Sequence, residues 1–181
     1  MAIVKGLIEK MGGTIEVKSE EGIGSTFIIR IPFKLAPAPD TVKKTAAQMD
    51  ISGLNLLLVE DNELNAEIAE TLLSDEGANL TVAEDGLQAV RMFQEKPEGY
   101  FDAILMDIMM PVMDGLTATK TIRSLKHPDA ETIPIIAMTA NAFQEDAEKC
   151  IAVGMNAHLA KPLDIEKVKM TIYKYLSLIH I

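Results

Sequence analysis

The chain has 181 residues, of which 48% are hydrophobic and 24% are charged, and its formal net charge is −10. This composition is typical of a globular chain with room for one α/β domain and part of another. The negative charge argues against nucleic acid or an anionic membrane surface as a direct partner. The single cysteine, Cys150, excludes an internal disulfide and a Cys-based zinc site, and we predict that it packs inertly in a helix. The sequence shows neither a membrane-spanning apolar run nor a leading secretory signal, which favours a cytoplasmic setting.

Residues 1–33 have the pattern of one helix followed by a β-hairpin. Apolar residues recur at helical spacing up to Gly12-Gly13, and Thr14–Lys18 and Thr26–Phe33 read as strands. A helix and a hairpin bury too little surface to be stable alone. The Gly22-x-Gly24 pattern leads into a strand and lacks a third glycine, so we interpret it as a hairpin turn, not a phosphate loop.

Two further segments lie outside regular domains in the sequence pattern. Residues 34–53 are rich in small residues and proline, which is typical of an inter-domain linker. The last five residues, 177–181, fit no helix face and resemble a translated sequencing-adapter sequence. We therefore treat 177–181 as a candidate non-native tail.

From Leu54 to Leu176 strand and helix patterns alternate in five βα units. Such alternation predicts a parallel sheet with right-handed crossovers and helices on both faces. We expect a flavodoxin-like, doubly wound (βα)5 sheet with strand order 2-1-3-4-5, preceded by the helix and hairpin fragment. In the first helix of this region, Ile68, Leu72 and Leu73 are predicted to point inward. The predicted strands are 56–59, 80–83, 100–106, 133–138 and 157–160, and the predicted helices are 64–73, 87–94, 116–125, 144–153 and 165–176.

Residues whose side chains could bind a ligand or take part in a reaction follow four of these strands. Glu60 and Asp61 follow the first strand, Asp107 the third, Thr139 the fourth and Lys161 the fifth. With the order 2-1-3-4-5, the first and third strands are neighbours at the switch point, where open α/β sheets bind ligands. Pro111 disfavours helical geometry just before it, so a loop follows Asp107.

Ordinary structural explanations exist for each residue separately. Asp107 could begin a turn, Thr139 could be a simple strand residue, Lys161 could be a solvated amine, and Asn62 could cap the next helix. Capping does not explain several carboxylates converging on one edge. Because like charges repel, a proton or a cation must lie among them. Oxygen-only ligation with open positions suits Mg²⁺ shared with a phosphate.

Residues 54–176 resemble a receiver domain of two-component signalling, of the variety attached to hybrid histidine kinases. Four separated motifs carry the resemblance in order: Val59-Glu-Asp-Asn62, Met106-Asp-Ile-Met-Met-Pro-Val-Met-Asp-Gly115, Met138-Thr-Ala-Asn141 and Ala160-Lys-Pro162. The resemblance implies a phosphorelay in which a phosphohistidine transfers its phosphoryl group to Asp107 with Mg²⁺ as cofactor, giving an aspartyl phosphate. It also implies a cis bond between Lys161 and Pro162.

The resemblance assigns a role to each matching residue. Asp61, Asp107 and the backbone carbonyl of Met109 would bind Mg²⁺ directly, and Glu60 would act through water. Lys161 would pair with a phosphoryl oxygen. Thr139, followed by Ala140, would bind another oxygen and switch the loop before the fourth helix. The usual partner of that switch is Tyr or Phe; here its position holds His158, which we interpret as a half-exposed strand residue in preference to a pH-sensitive one.

Residues 1–33 resemble the C-terminal end of a histidine-kinase ATP-binding domain. The order helix, Gly-Gly, strand, Glu-Gly-Ile-Gly-Ser-Thr-Phe and Ile-Pro carries this second resemblance. The phosphoacceptor histidine helix and the nucleotide-binding boxes are not in this sequence, so we expect no ATP binding and only phosphoacceptor activity. Met1 is then an internal residue of a longer hybrid sensor kinase, and this parent protein could be anchored in the inner membrane.

Two alternatives and one partner expectation complete the predictions. A haloacid-dehalogenase-like phosphatase would need an Asp two positions after the nucleophile, where this chain has Met109. A pseudo-receiver would keep the fold without being phosphorylated. The expected partners are a kinase phosphohistidine domain or a histidine-phosphotransfer domain, docking on an apolar patch near Ala66, Ile68 and Ala69, with no nucleic acid or direct membrane contact.

Overall fold

The computed structural model describes residues 2–20, 22, 24–32, 49–140 and 144–179, and the chain divides into two units between residues 40 and 41. The first unit consists of helix α1 (Ala2–Lys10) and an antiparallel hairpin of β1 (Thr14–Glu20) and β2 (Gly24–Arg30). Almost all of its described side chains are exposed or half-buried, and Ile8 is an exception. This matches the expectation that a helix and a hairpin cannot enclose a core.

The second unit has the predicted alternation of strands and helices. Its described elements are β3 (Asn55–Val59), α2 (Glu63–Asp75), β4 (Asn79–Ala83), α3 (Gly86–Glu95), β5 (Ala103–Asp107), α4 (Gly115–Ser124), a 3-10 turn (Pro128–Ala130), β6 (Ile135–Thr139), α5 (Gln144–Ala152), β7 (Ala157–Ala160) and α6 (Ile165–Ile179). Among the described residues, no helix is long and apolar enough to cross a bilayer.

The five strands of the second unit form one parallel sheet in the order β4-β3-β5-β6-β7. This is the predicted 2-1-3-4-5 order, and the prediction is confirmed. Alternate residues of the central strands enter two separate cores: Leu57 and Ile104 pack on one face, and Leu56 and Leu105 on the other. Because both faces are covered, these strands read in sequence as continuous apolar runs.

The folded unit begins before Leu54, the predicted start of the domain. Ile51 is buried in the same core as Leu56, and the amide of Gly53 donates to the carbonyl of Gly77 at 2.8 Å. Residues 51–53, which the sequence pattern placed in the linker, are therefore part of the folded unit, although only Ile51 among them is buried. The rest of the predicted linker up to residue 48 lies outside the described residues.

Two expectations about helices are wrong. Ile68 is 51% exposed, because it lies on the outer face of α2, whereas Leu73 is buried and Leu72 half-buried. The last helix also continues through Ile179, three residues into the segment that seemed to fit no helix face. Each added residue there can close another backbone hydrogen bond along the helix.

The predicted burial of Cys150 in a helix is confirmed.

The amino-terminal side of the sheet is held by a half-buried arginine. Arg123, at the end of α4, donates to the carbonyls of Gly154, Ala130 and Ile133 at 3.0, 2.8 and 2.9 Å and to the side-chain oxygen of Asn156 at 3.0 Å. These acceptors lie on two connections, the one before β6 and the one before β7, so one guanidinium joins the two. Burial lowers the pKa of Arg123, but an arginine remains charged at neutral pH.

Candidate functional site

Three carboxylates meet at the carboxyl ends of the two central strands. Val59 of β3 pairs with Met106 of β5, so Glu60 and Asp107, the next residues, lie side by side. Glu60 is 3% and Asp107 6% exposed, whereas Asp61 is open to solvent. One carboxylate oxygen from each of these three acids lies within 4.8 Å of the others. The predicted convergence of the three acids is present in the structure.

Lys161 brings a positive charge into this acidic group. Its ammonium donates to Oδ2 of Asp107 at 2.5 Å and to Oε2 of Glu60, reaching across from the loop after β7. The Lys161–Pro162 bond is cis, as the resemblance implied. Burial opposes the charge on Lys161, but the hydrogen bonds to Asp107 and Glu60 outweigh it and raise the pKa of the lysine. Lys161 therefore remains a cation beside Asp107.

Two polar contacts fix the orientation of the buried acids. The side-chain amide of Asn65 donates to Oε1 of Glu60 at 2.9 Å, so both oxygens of Glu60 are bonded. The backbone amide of Met109 donates to Oδ1 of Asp107 at 3.1 Å. Asn65 is not among the residues predicted for this site. Its signal is its place in the first turn of α2, where Asn62 caps the helix by accepting from the amide of Asn65 at 3.0 Å.

The loop between β5 and α4, residues 108–114, covers one side of the acids. Asp61 and Met109 line the same surface cavity together with Pro111. The side chain of Met109 is 81% exposed, so its functional contribution would come from its backbone. Val112 has a φ of +65°, a backbone conformation that a β-branched residue rarely adopts.

The remaining predicted residues lie on β6 and β7. Thr139 is buried at the end of β6, and its carbonyl accepts from the amide of Lys161 at 2.8 Å. Ala140 follows it and is exposed. His158 pairs with Ala137 in the sheet and is exposed, as the simpler interpretation of this histidine predicted. Asn141 of the third motif lies outside the described residues.

The donor set agrees with a hard divalent cation. Glu60, Asp61 and Asp107 offer only oxygen ligands, and the exposed Asp61 leaves the group accessible. Mg²⁺ prefers one or two carboxylates and keeps several waters, whereas zinc favours nitrogen and sulfur ligands. The residues present therefore fit Mg²⁺.

This fold and site define the class of protein. A parallel sheet in the order 2-1-3-4-5 carries, at the carboxyl ends of its strands, an acidic cluster with Thr139 and Lys161 beside it. The family model described as the response regulator receiver domain matches residues 56–173. The chain belongs to the response-regulator receiver family, and its assignment to phosphorelay signalling is confirmed.

The curated relatives are histidine kinases and sensor proteins. The chain is 36% identical over 177 residues to the aerobic respiration control sensor protein ArcB of Escherichia coli K12, a match that covers 97% of this chain and 22% of ArcB. It is 34% identical over 170 residues to the autoinducer 2 sensor kinase/phosphatase LuxQ of Vibrio cholerae, covering 90% of this chain and 19% of LuxQ. The chain thus spans about a fifth of the length of these relatives.

Solved structures agree with this family. The receiver domain of sensor histidine kinase PA1611 from Pseudomonas aeruginosa, solved with magnesium in its active-site cleft, is 40% identical with a TM-score of 0.62, covering 70% of this chain and 99% of that one. The Ssk1 receiver domain of Saccharomyces cerevisiae, crystallised with the phosphotransfer protein Ypd1, is 27% identical with a TM-score of 0.62, covering 72% and 94%. These matches do not favour the phosphatase alternative.

Proposed function

We propose that this chain accepts a phosphoryl group on Asp107 from a phosphohistidine, with Mg²⁺ held by Asp61, Asp107 and the carbonyl of Met109 and with Glu60 acting through water. The observation that carries the proposal is the placement of Asp107 between two acids and the ammonium of Lys161, 2.5 Å away. The magnesium in the PA1611 receiver domain supports the choice of metal.

In the proposed reaction a carboxylate oxygen of Asp107 bonds to phosphorus as the bond from phosphorus to the donor imidazole nitrogen breaks. The imidazole leaves with the bonding electrons and takes a proton from solvent, and the product is an acyl phosphate. A carboxylate is a weak nucleophile, so the site would act by positioning and charge neutralisation. The bound metal would supply a Lewis acid that neutralises phosphoryl charge.

Lys161 and Thr139 act on the product in this proposal. Lys161 already lies against Asp107 and would exchange one carboxylate contact for a phosphoryl oxygen. Phosphorylation adds nearly two negative charges and three acceptor oxygens. Thr139, with the amide of Ala140 beside it, would bind another of these oxygens and move the loop before α5. His158 would occupy the place of the aromatic switch partner.

Intact mass spectrometry of the full chain tests the acceptor. We expect a base-labile phosphoryl adduct after incubation with Mg²⁺ and acetyl phosphate, and none when EDTA replaces Mg²⁺. Asp107→Asn removes the nucleophile and is expected to give no adduct. An adduct on Asp107→Asn would place the phosphoryl group elsewhere. No adduct on the wild type, even with a phosphohistidine protein as donor, would favour the pseudo-receiver, a binding module without phosphorylation.

The proposed partner surface is the outer side of α2. Leu64 is 65% and Ile68 51% exposed, whereas Ala66 and Ala69, the other predicted contributors, are buried. The same helix carries four acidic residues and no basic one. We therefore propose as partner a kinase phosphohistidine domain or a histidine-phosphotransfer domain with an apolar centre and a basic rim. The Ypd1–Ssk1 complex supports a histidine-phosphotransfer protein as the class of partner.

Transfer from protein donors separates docking from chemistry. Ile68→Asp is expected to slow transfer from a panel of phosphorylated histidine-phosphotransfer domains and to leave labelling by acetyl phosphate unchanged. Glu67→Lys should weaken the dependence of transfer on salt concentration, because it removes an attractive charge. Equal slowing with acetyl phosphate would show that the variant damages the site and not the docking surface.

We propose that residues 1–33 are the C-terminal piece of a histidine-kinase ATP-binding domain and that a linker and the receiver domain follow, predicted at 34–53 and 54–176, with the receiver extended back to the buried Ile51. The predicted non-native tail, 177–181, would then begin inside the last helix. The ArcB match, which covers 97% of the chain, supports the first assignment because it must include part of the first unit. Leu7, Phe27 and Ile29 of that unit are exposed, as expected when a larger domain covers them. We also propose that the whole chain lies in the cytoplasm, within a parent protein anchored in the inner membrane. Fusions of a membrane-topology reporter before and after residues 1–33 would test this location.

A further inference from the structure

The loop that carries Met109 is attached to its neighbours through two glycines. The amide of Gly86, the first residue of α3, donates to the carbonyl of Met113 at 3.1 Å. The amide of Gly115, the first residue of α4, donates to the carbonyl of Ile108 at 3.0 Å. The loop is therefore held at its beginning by α4 and at its end by α3.

Both glycines are required for space. A Cβ atom at Gly86 would lie 2.6 Å from the carbonyl oxygen of Met113 and 2.8 Å from Cβ of Ala118. A Cβ atom at Gly115 would overlap the carbonyl oxygen of Asp107. Real Cβ contacts are not this short, so any larger residue must displace backbone. Gly86 is buried and has no positive φ, so its role is to permit close approach and not an unusual backbone conformation.

We infer that Gly86 is a positioning residue for the proposed magnesium site. Because it has no side chain, α3 can pack closely against the loop that contains Met109. This inference rests on the proposed function. Gly86 belongs to the βα unit of β4, which supplies none of the proposed ligands. The effect passes through the Met113 carbonyl along a loop of seven residues, 108–114, whose other end is fixed by Gly115 beside Asp107. A displacement at Met113 would therefore be transmitted into the segment between Ile108 and Met113, where Met109 lies.

The test is calorimetric titration of Mg²⁺ alone into the full chain, compared for the wild type and Gly86→Ala. We expect Gly86→Ala to weaken Mg²⁺ binding roughly tenfold, as loss of a supporting contact around metal ligands commonly does. Its urea unfolding without Mg²⁺ is measured in parallel, because a merely structural role would change unfolding and not the affinity of the folded protein. Gly6→Ala is the matched control: it is also a helical glycine, but a Cβ there meets nothing within 4 Å.

The outcomes separate this inference from the proposed function. If the wild type does not bind Mg²⁺, the proposed function fails. If the wild type binds and a folded Gly86→Ala binds within about twofold of it, only the positioning role is overturned. Should Gly86→Ala not fold, Asp85→Ala decides: Asp85 accepts from the amide of Gln88 at 2.8 Å and holds the first turn of α3. Weakened Mg²⁺ binding by Asp85→Ala supports the inference, and unchanged binding overturns it.

Discussion

The ammonium of Lys161 lies 2.5 Å from Oδ2 of Asp107, although 54 residues separate them in sequence. The same ammonium bonds to Glu60, so a single cation from the loop after β7 neutralises two buried acids on neighbouring strands. The cation that the sequence required among the carboxylates is thus partly supplied by the chain itself. Lys161 and Mg²⁺ would both neutralise these acids, so removing one of the two cations should show how much the other contributes.

Lys161→Met tests that division. Without Mg²⁺, we expect it to lower the free energy of unfolding by about 2 kcal/mol, because it leaves buried acids without their cation. Mg²⁺ should bind roughly tenfold more tightly, since a competing positive charge is gone. Urea unfolding with and without Mg²⁺ measures both effects. Lys167→Met, which removes a 72% exposed lysine, serves as control and should change neither. Weaker Mg²⁺ binding by Lys161→Met would contradict this view.

Val112 is expected to destabilise the loop in which it lies. Its φ of +65° is unfavourable for a β-branched residue, whereas Asn tolerates this region. Val112→Asn should therefore raise the free energy of unfolding by about 1 kcal/mol. Urea denaturation without Mg²⁺ provides the measurement, and Val112→Thr, still β-branched, should give no such gain. Equal stability of the Asn and Thr variants would mean that this backbone conformation carries no cost.

Arg123→Lys is expected to be strongly destabilising despite keeping the charge. Lysine cannot reproduce the fork that serves the carbonyls of Gly154, Ala130 and Ile133 and the side chain of Asn156. We expect a loss of about 2–3 kcal/mol, because buried carbonyls would lose their donors. Thermal and urea unfolding measure it against Arg91→Lys, an exposed site on α3. A loss no larger than that of Arg91→Lys would exclude the proposed bridging role.

Asp114 should make stability depend on acid pH. Its carboxylate accepts from the amide of Thr117 at 2.8 Å at the start of α4, and this bond is the main reason that the pKa of Asp114 is lowered from 3.8. A lowered pKa means that the contribution is complete above pH 3.8 and disappears as the pH falls through the lowered value. Asp114→Ala should therefore cost about 1 kcal/mol at pH 7 and progressively less below pH 3.8.

The matched control for that pH dependence is Asp114→Asn. Asparagine caps helices as well as aspartate but does not titrate. Its stability relative to the wild type should therefore improve on acidification, while that of Asp114→Ala approaches the wild type. A pH-independent difference between Asp114→Ala and wild type, measured by urea unfolding from pH 3 to 7, would contradict the assignment.

The sheet order and the convergence of Glu60, Asp61, Asp107 and Lys161 could be predicted because they follow from local rules. Buried parallel strands read as apolar runs, and their carboxyl ends must meet at one edge once the order is fixed. The capping role of Asn62 was likewise visible from its position before a helix. What these features share is dependence on near neighbours in sequence or on the sheet as a whole.

Other features depend on contacts between distant segments and gave no local signal. Ile68 looked like a core residue because its spacing fits a helix face, but α2 turns it outward. The role of Arg123 gave no signal in its own helix, because its carbonyl acceptors lie on the two segments that precede β6 and β7. Likewise, only the tertiary structure reveals how closely Met113 approaches Gly86.

All the charged residues of α2 are acidic, and this has a consequence for its amide hydrogen exchange. Glu63 and Glu67 are four residues apart and Glu67 and Glu70 three, so like charges repel along the exposed face of this helix. Its amides should therefore open more readily than the number of its turns suggests. A bound cationic surface would relieve that repulsion. Slower amide hydrogen exchange confined to α2 would then identify this helix as the one that contacts the partner.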